Sequence, residues 1–416
     1  MERQALLKFK EGLKDPSNGL SSWVGQDCCT WLGVGCNNQT GHVIKLDLKS
    51  QPVCNQVAGS VFCKELTLGV ELSPSLLDLK YLNYLYLSYN DFQGIPIPNF
   101  IGSLNRLSYL DLSYASFGGT IPPYLGNLSN LYYLNLSTFL INFSVSNLNW
   151  LSGLSSLQYL SLISVNLSKA STHWLQIVNM LPFLIELHLS GCELQNLPQT
   201  LQFVNFTSLS VLDLSYNNFN SSLIPQWLFN ITGLTNLHLS SCYLKGSIPE
   251  IAIGSFYNLQ SLDISLNYYI SGEITEFFHV LSGCSNRRGP IPKNIGNLSR
   301  LEELDLSYNK MSGIILESIG QLTELTQLNL FSNSWEGIIY EIHFLNLTKL
   351  SSLSLSSTTN LLVLNVSHNW IPSFDLPLIE ADGCQLGPAF PAWLRTQKNL
   401  WDITLKNAAI LDKIPD

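Results

Sequence analysis

Apolar residues recur along this chain in one fixed phrase, L-x-x-L-x-L-x-x-N/C-x-L. The phrase begins at Leu82 (LNYLYLSYNDF) and Leu107, then at Leu131, Leu157, Leu184, Leu209, Leu234 and Leu259. It resumes at Leu301, Leu325, Leu350, Leu376 and Leu400, and a degenerate first copy runs from Val43 to Leu48. Successive starts lie 24–27 residues apart with a single exception, so the thirteen copies are in phase. The L-x-L alternation predicts a short strand, with leucines on one side and the intervening residues on the other. One strand per repeat predicts a stacked parallel sheet, with a continuous leucine core behind it and the x positions lining a concave face. The ninth position holds Asn90, Asn217, Asn267, Asn309 and Asn333, whose amides can satisfy backbone groups where the chain leaves the strand. Cys192, Cys242 and Cys384 occupy the same slot and read as small structural residues with a weak donor.

After the strand several copies carry G-x-I-P or a variant of it, as in GGTIPPYLGNL, KGSIPEIAIGSF and RGPIPKNIGNL. Glycine permits unusual backbone angles and proline limits regular structure, so a convex side of irregular or short helical coil is expected. Ahead of the repeats, Ala5, Leu6, Phe9 and Leu13 fall at helical spacing within Glu2 to Leu13. Such a helix can cover the open leucine end of the first repeat. The chain therefore reads as α/β class, a solenoid with a helical N-terminal cap. Three regions are expected: the cap at 1–41, repeats at 42–286, and repeats at 287–416 beyond an out-of-phase junction, without a C-terminal cap. The interval from Leu259 to Leu301 is 42 residues, and two convex half-repeats stand in tandem inside it, their glycines Gly272 and Gly289 17 residues apart. A deletion near Asn286 and Arg287 accounts for this; a genuine island loop carrying a binding function is the alternative.

The L-x-G-x-I-P signature resembles the plant-type leucine-rich repeat of receptor-like proteins, receptor kinases and polygalacturonase inhibitors. ERQALLKFKEGLKDPSNGLSSWVGQDCCTWLGVGC, with Trp31, Gly33, Val34 and Cys36, is similar to the plant N-terminal cap. GPAFPAWLRTQKNL, from Gly387 to Leu400, is similar to the receptor-like proteins of the type that perceives fungal xylanase. The resemblance implies a disulfide between Cys29 and Cys36 and leaves Cys28 without its family partner, since the chain begins with Met there. It also implies further repeats, a C-terminal cap, a membrane helix and a cytoplasmic tail, so the sequence reads as a truncated ectodomain on the extracellular face of the plasma membrane or in the apoplast.

Cys54 and Cys63 form a second local pair by proximity; whether Cys28 and Cys284 pair is open, and nine cysteines cannot all pair within the chain. Disulfides imply an oxidising compartment. Zinc is disfavoured, because no C-x-x-C or histidine stands at ligand spacing. N-x-S/T sequons occur at Asn38, Asn127, Asn135, Asn142, Asn166, Asn205, Asn220, Asn230, Asn297, Asn346 and Asn365. Some belong to the repeat phrase itself, yet their number favours a glycosylated extracellular protein. Against this, the N-terminus carries no apolar stretch of signal-peptide kind and no run is long enough to span a bilayer. A net charge of −9 makes nucleic acid and anionic lipid poor partners.

Candidate chemistry lies in the x positions. Tyr84, Tyr109, Tyr133 and Tyr159 share one column, with Tyr86 beside the first of them. Asp111, Asp213, Asp263 and Asp305 share a second column with His188 and His238, and Tyr89, Tyr114, Tyr216 and Tyr308 share a third. Aromatics on a rigid surface suit protein interfaces; the bland alternatives are tyrosines that pack on one another and an aspartate required by the repeat. No G-x-S-x-G, H-E-x-x-H or G-x-x-x-x-G-K occurs, so no enzyme and no cofactor are expected. The expected function is recognition of a protein or peptide ligand of microbial or plant origin on the concave face, with recruitment of a co-receptor kinase. The alternatives are a secreted inhibitor of microbial wall-degrading enzymes and a non-functional receptor fragment.

Overall fold

The structure is a computed structural model in which the chain forms two compact units, Met1–Gln195 and Asn196–Asp416. It describes residues 1–413 except 17, 51–52, 58–59, 65–67, 140–141, 221, 248–257 and 274–297, and only the backbone of 53–57, 60–64 and 70.

In the first unit the antiparallel strand pair Val34–Cys36 and Val43–Asp47 opens a sheet that continues in parallel. Its further strands are Tyr84–Tyr86, Tyr109–Asp111, Tyr133–Asn135, Tyr159–Ser161 and Glu186–His188. Pairing is in register, so Leu46, Leu85, Leu110, Leu134, Leu160 and Leu187 stack behind the sheet, all at 0% exposure. Burial of each such leucine contributes about 1.5–3 kcal/mol, which suffices to hold a three-residue strand that no local propensity would sustain. The second unit repeats the plan through Val211–Asp213, Asn236–His238, Ser261–Asp263, Glu303–Asp305, Gln327–Ile339, Ser352–Ser357, Leu378–Asp382 and Asp402–Thr404. Each unit is thus the α/β leucine-rich-repeat architecture expected. The long interval is bridged directly, since Ser261–Asp263 pairs with Glu303–Asp305 and Leu262 faces Leu304. The suspected junction at Asn286 and Arg287, with Cys284, Gly289 and Asn297, lies outside the described residues.

Away from the sheet, short 3₁₀ turns follow one another, among them Asn99–Ser103, Pro123–Asn127, Asn149–Gly153, Gln226–Asn230 and Glu317–Gln321. The glycine before the G-N-L asparagine is required by close stacking: a Cβ on Gly126 would lie 2.4 Å from the Trp150 carbonyl oxygen. The convex side is more regular than the sequence suggested. Lys245–Gly246, Tyr269–Glu273, Lys310–Ile314 and the far end of Gln327–Ile339 form a second parallel ladder, as do Gly119–Thr120 and Phe143–Ser144. Stacked coils bring these segments to strand spacing, where their N–H and C=O groups meet in register, even across the long interval, where Ser271 pairs with Lys310.

Where the ninth position holds Asn or Cys, its side chain ties down the turn that follows the strand; Ala115, Phe139 and Val165 hold the same slot in other coils without a polar group. Asn267 Nδ2 donates to the Leu239 and Ile264 carbonyls at 2.8 and 2.9 Å, and Oδ1 accepts the Cys242 and Leu244 N–H groups at 3.0 Å each. Asn90 and Asn333 make the same contacts one coil back. Cys192 and Cys242 donate Sγ–H to the Leu162 and Leu214 carbonyls at 3.0 and 3.1 Å, supplying the donor but not the acceptor. Burial pushes the Cys242 and Cys384 thiols up to about 12, so they stay protonated. Asn309 departs from the pattern. Its Nδ2 is satisfied by Ile264 and Leu306, but Oδ1 is buried with no partner, in the coil that follows the 42-residue interval.

The cap helix spans Glu2–Glu11 and buries Ala5, Leu6 and Phe9. It stops short of Leu13, which the spacing had placed on it. Leu13–Lys14 instead pairs antiparallel with Gly69–Val70, so Leu13 is half-buried at a strand edge. Trp23 and Trp31 stack at 5.4 Å, and Cys29 and Cys36 form a disulfide. Cys28 is buried and unbridged. Strand register sets Cys54 opposite Cys63, whose side chains lie outside the described residues.

Asn267→Ala strands two buried N–H groups and the Leu239 carbonyl, while Ile264 keeps the Asn309 amide, and is expected to cost about 2–4 kcal/mol in denaturant unfolding. Asn309→Cys keeps a donor and deletes an orphaned acceptor, and should cost no more than about 1 kcal/mol. Equal costs would show that the ladder does not carry the turn.

Candidate functional site

On the sheet face of the first unit, in-register strands about 4.8 Å apart bring every tyrosine of the first column against the next. Tyr109 and Tyr133 stack at 3.9 Å with an interplanar angle of 5°, and Tyr133 and Tyr159 at 4.1 Å and 9°. Tyr84 lies 6.3 Å from Tyr109, and Tyr86 leans onto the same ring at 4.4 Å with the Lys45 ammonium over its own face. His188 ends the row 5.3 Å from Tyr159, its Nε2 3.2 Å from a Glu186 carboxylate oxygen. Burial is the largest cause that raises these phenols; Tyr109 is pushed up to about 12 although its hydrogen bond with Tyr133 opposes the shift, and Tyr133 and Tyr159 are raised further by their row neighbours. Because stacking consumes the ring faces, the row offers ring edges and hydroxyls to an incoming ligand.

A second aromatic row runs along the strand ends, Tyr89 to Tyr114 at 5.2 Å and Tyr114 to Phe139 at 4.3 Å. Tyr89 and Tyr114 adopt left-handed backbone (φ 58° and 54°), which aims them out of the coil. Sequence alignment of the repeats missed Phe139, since Thr138 holds the tyrosine's place and the ring comes from the next position.

The aspartate column is engaged with its own backbone. Asp111 Oδ1 accepts the Ser113 N–H at 3.0 Å and its hydroxyl at 2.6 Å, and Asp213 Oδ1 accepts the Ser215 N–H at 2.9 Å. Each closes a local turn where the strand ends. Asp213, Tyr216 and His238 belong to the second unit. There the face is polar: His238 Nε2 lies 3.1 Å from Ser261 Oγ, which donates to Glu303 Oε2 at 2.9 Å. This line of Ser, His and carboxylate is not a hydrolase arrangement. Ser261 is buried and its proton goes to the glutamate rather than to the imidazole. Burial also raises the Asp305 carboxyl.

Of the sequons, Asn38, Asn127, Asn142, Asn220, Asn230, Asn346 and Asn365 are exposed. Asn135, Asn166 and Asn205 are half-buried; Asn135 sits on the sheet face two residues from Tyr133, and Asn166 Nδ2 donates to Glu193 at 2.6 Å. Asn297 lies outside the described residues. Among the described residues no His, Cys, Asp or Glu cluster is placed to hold a metal, and no helix is long and apolar enough to cross a membrane.

The raised phenols fix a sign. A folded-state value above the ordinary 10.0 stabilises the fold fully below pH 10, and that contribution is lost as pH rises towards 12. A near-ultraviolet phenolate titration should therefore show exposed tyrosines ionising first and a late fraction only as the fold melts. In Tyr109→Phe the late fraction should shrink; an unchanged titration would mean that the row is open to solvent.

The leucine-rich repeat region family matches residues 187–407, the leucine rich repeat N-terminal domain matches 1–37, and single leucine rich repeats match 81–104 and 106–128. Receptor-like protein EIX1 of Solanum lycopersicum is 44% identical over 238 residues, 56% of this chain and 22% of that protein. PEPR1, solved with AtPEP1, is 25% identical with a TM-score of 0.64, over 97% of this chain and 55% of that one. The Arabidopsis receptor kinase HAESA is 24% identical with a TM-score of 0.67, over 97% and 61%. The chain thus spans under a quarter of the tomato relative's length. Repeat phrase, cap and matches together establish that the chain belongs to the leucine-rich-repeat family, among the plant receptor-like proteins.

Proposed function

We propose that this chain is the extracellular ligand-recognition region of a plant receptor-like protein in defence or developmental signalling, binding a protein or peptide on the sheet face of Met1–Gln195. The observation that carries this is the prestacked row Tyr109–Tyr133–Tyr159. Rings already immobilised by one another lose little rotamer freedom when a ligand arrives, so contact area converts to affinity at low entropic cost. The likeness to PEPR1, solved with AtPEP1, supports a bound ligand. HAESA, solved with a peptide hormone and the co-receptor SERK1, is a likeness of fold, and a co-receptor kinase is the partner this reading proposes here. The Cys29–Cys36 disulfide and the exposed sequons fit an oxidising, secretory route.

The test is secretion from plant cells behind a heterologous signal peptide, followed by binding to immobilised fungal xylanase and a panel of secreted microbial hydrolases and plant peptides. A ligand of this face should lose at least about tenfold in affinity in Tyr133→Ala, roughly 1.4 kcal/mol or more, while Asp213→Asn changes it little. Glycan mapping should find Asn135 empty, because a glycan there stands beside Tyr133. A ligand indifferent to the tyrosines, or bound while Asn135 is occupied, would move the site elsewhere.

A further inference from the structure

In the second unit a groove of about 730 Å³ opens on the side away from the leucine core's sheet face, between the turns Glu317–Gln321 and Glu341–Phe344. Its walls are apolar and unusually open: Leu345 is 64% exposed and Ile314 50%, with Ile338, Tyr340 and Ile342 beside them. The groove is preformed. His343, itself buried, accepts the Tyr340 N–H on Nδ1 at 3.0 Å and reaches the Ile315 carbonyl from Nε2 at 3.1 Å, which pins the floor to both coils. Glu317 is the one formally charged residue of its described lining. One polar group is unexplained: the Ser318 hydroxyl lies in the wall, shielded and without a hydrogen-bond partner.

Asn346 is part of the same lining, and it is exposed and followed by Leu347 and Thr348 in a sequon. Its repeat counterpart Asn230 shows what is different here. Asn230 is also exposed and followed by Ile231 and Thr232, but the residue before it, Phe229, is buried, whereas Leu345 is left in the open. An apolar groove with a glycan acceptor at its rim needs an occupant with apolar faces and polar edges. Pyranose rings have both, since their axial C–H groups present an apolar face and their hydroxyl and acetamide groups hydrogen-bond at the edge.

We infer that the groove is the seat of an N-glycan attached at Asn346, whose inner N-acetylglucosamine residues lie over Leu345, Ile342 and Ile338 and complete the surface. The attachment forms an amide-nitrogen-to-sugar bond from Asn346 Nδ2 to the anomeric carbon of a lipid-diphosphate-linked oligosaccharide, releasing the lipid diphosphate and the amide proton. The inference rests on the extracellular reading above, and the experiment separates the two.

The chain is secreted from plant cells, its glycan sites are mapped, and the binding of an environment-sensitive anilinonaphthalene dye is measured. Asn230 and Asn346 should both be occupied. Asn346→Gln should raise dye fluorescence several-fold and lower the melting temperature by about 2–4 °C, while Asn230→Gln does neither. Trimming of a high-mannose glycoform to a single sugar per site provides the same comparison without a mutation, and should leave dye binding low. Asn346 empty with Asn230 occupied would overturn the glycan seat alone; both empty would remove the extracellular reading with it. Occupancy at Asn346 with dye binding as strong as in Asn346→Gln would also overturn it, and would assign the groove to a free apolar ligand or partner.

Discussion

A three-residue strand followed by an abrupt turn leaves buried backbone groups that neither water nor a neighbouring strand can reach, and in the coils that carry Asn at the ninth position one amide answers for them. In Asn267 a single amide serves its own coil and the preceding one, joining Leu239, Cys242, Leu244 and Ile264. The leucines supply the larger free energy, but apolar burial is nondirectional and would tolerate many arrangements. The amide ladder makes one of them specific, because every alternative leaves a desolvated donor or acceptor. A left-handed residue stands just before this slot at Tyr89, Tyr216 and Leu266, and equally at Tyr114 and Ser164, where the slot holds Ala115 and Val165.

The two units use one scaffold for different surface chemistry. In Met1–Gln195 the outward positions collect aromatic rings, and in Asn196–Asp416 they collect carboxylates, hydroxyls and an imidazole that satisfy one another. A surface whose polar groups are already paired gains little from a new partner, whereas stacked phenols still present ring edges. That asymmetry is why the recognition face is proposed in the first unit.

How much of this was legible in the sequence depends on whether a feature repeats. Strand register, leucine core, asparagine slot and tyrosine column are periodic, and the thirteen copies made each position readable. Features that arise from one coil's departure were not. Leu13 satisfied a helical spacing, yet the backbone found a strand partner at Val70. Phe139 joined a row from one position late. The second ladder on the convex side follows from the stacking of successive coils rather than from any residue type, and the groove beside Asn346 from two side chains left uncovered. The aspartates could be seen, but not that their oxygens are held by Ser113 and Ser215.

The orphaned acceptor of Asn309 separates two kinds of register. Strands on either side of the 42-residue interval still pair residue for residue, so the sheet is indifferent to the length of chain between them. The amide ladder is not: Asn309 Oδ1, in the first coil beyond the interval, meets no donor. The cost of an irregular interval thus falls on one oxygen atom and leaves the apolar core in place.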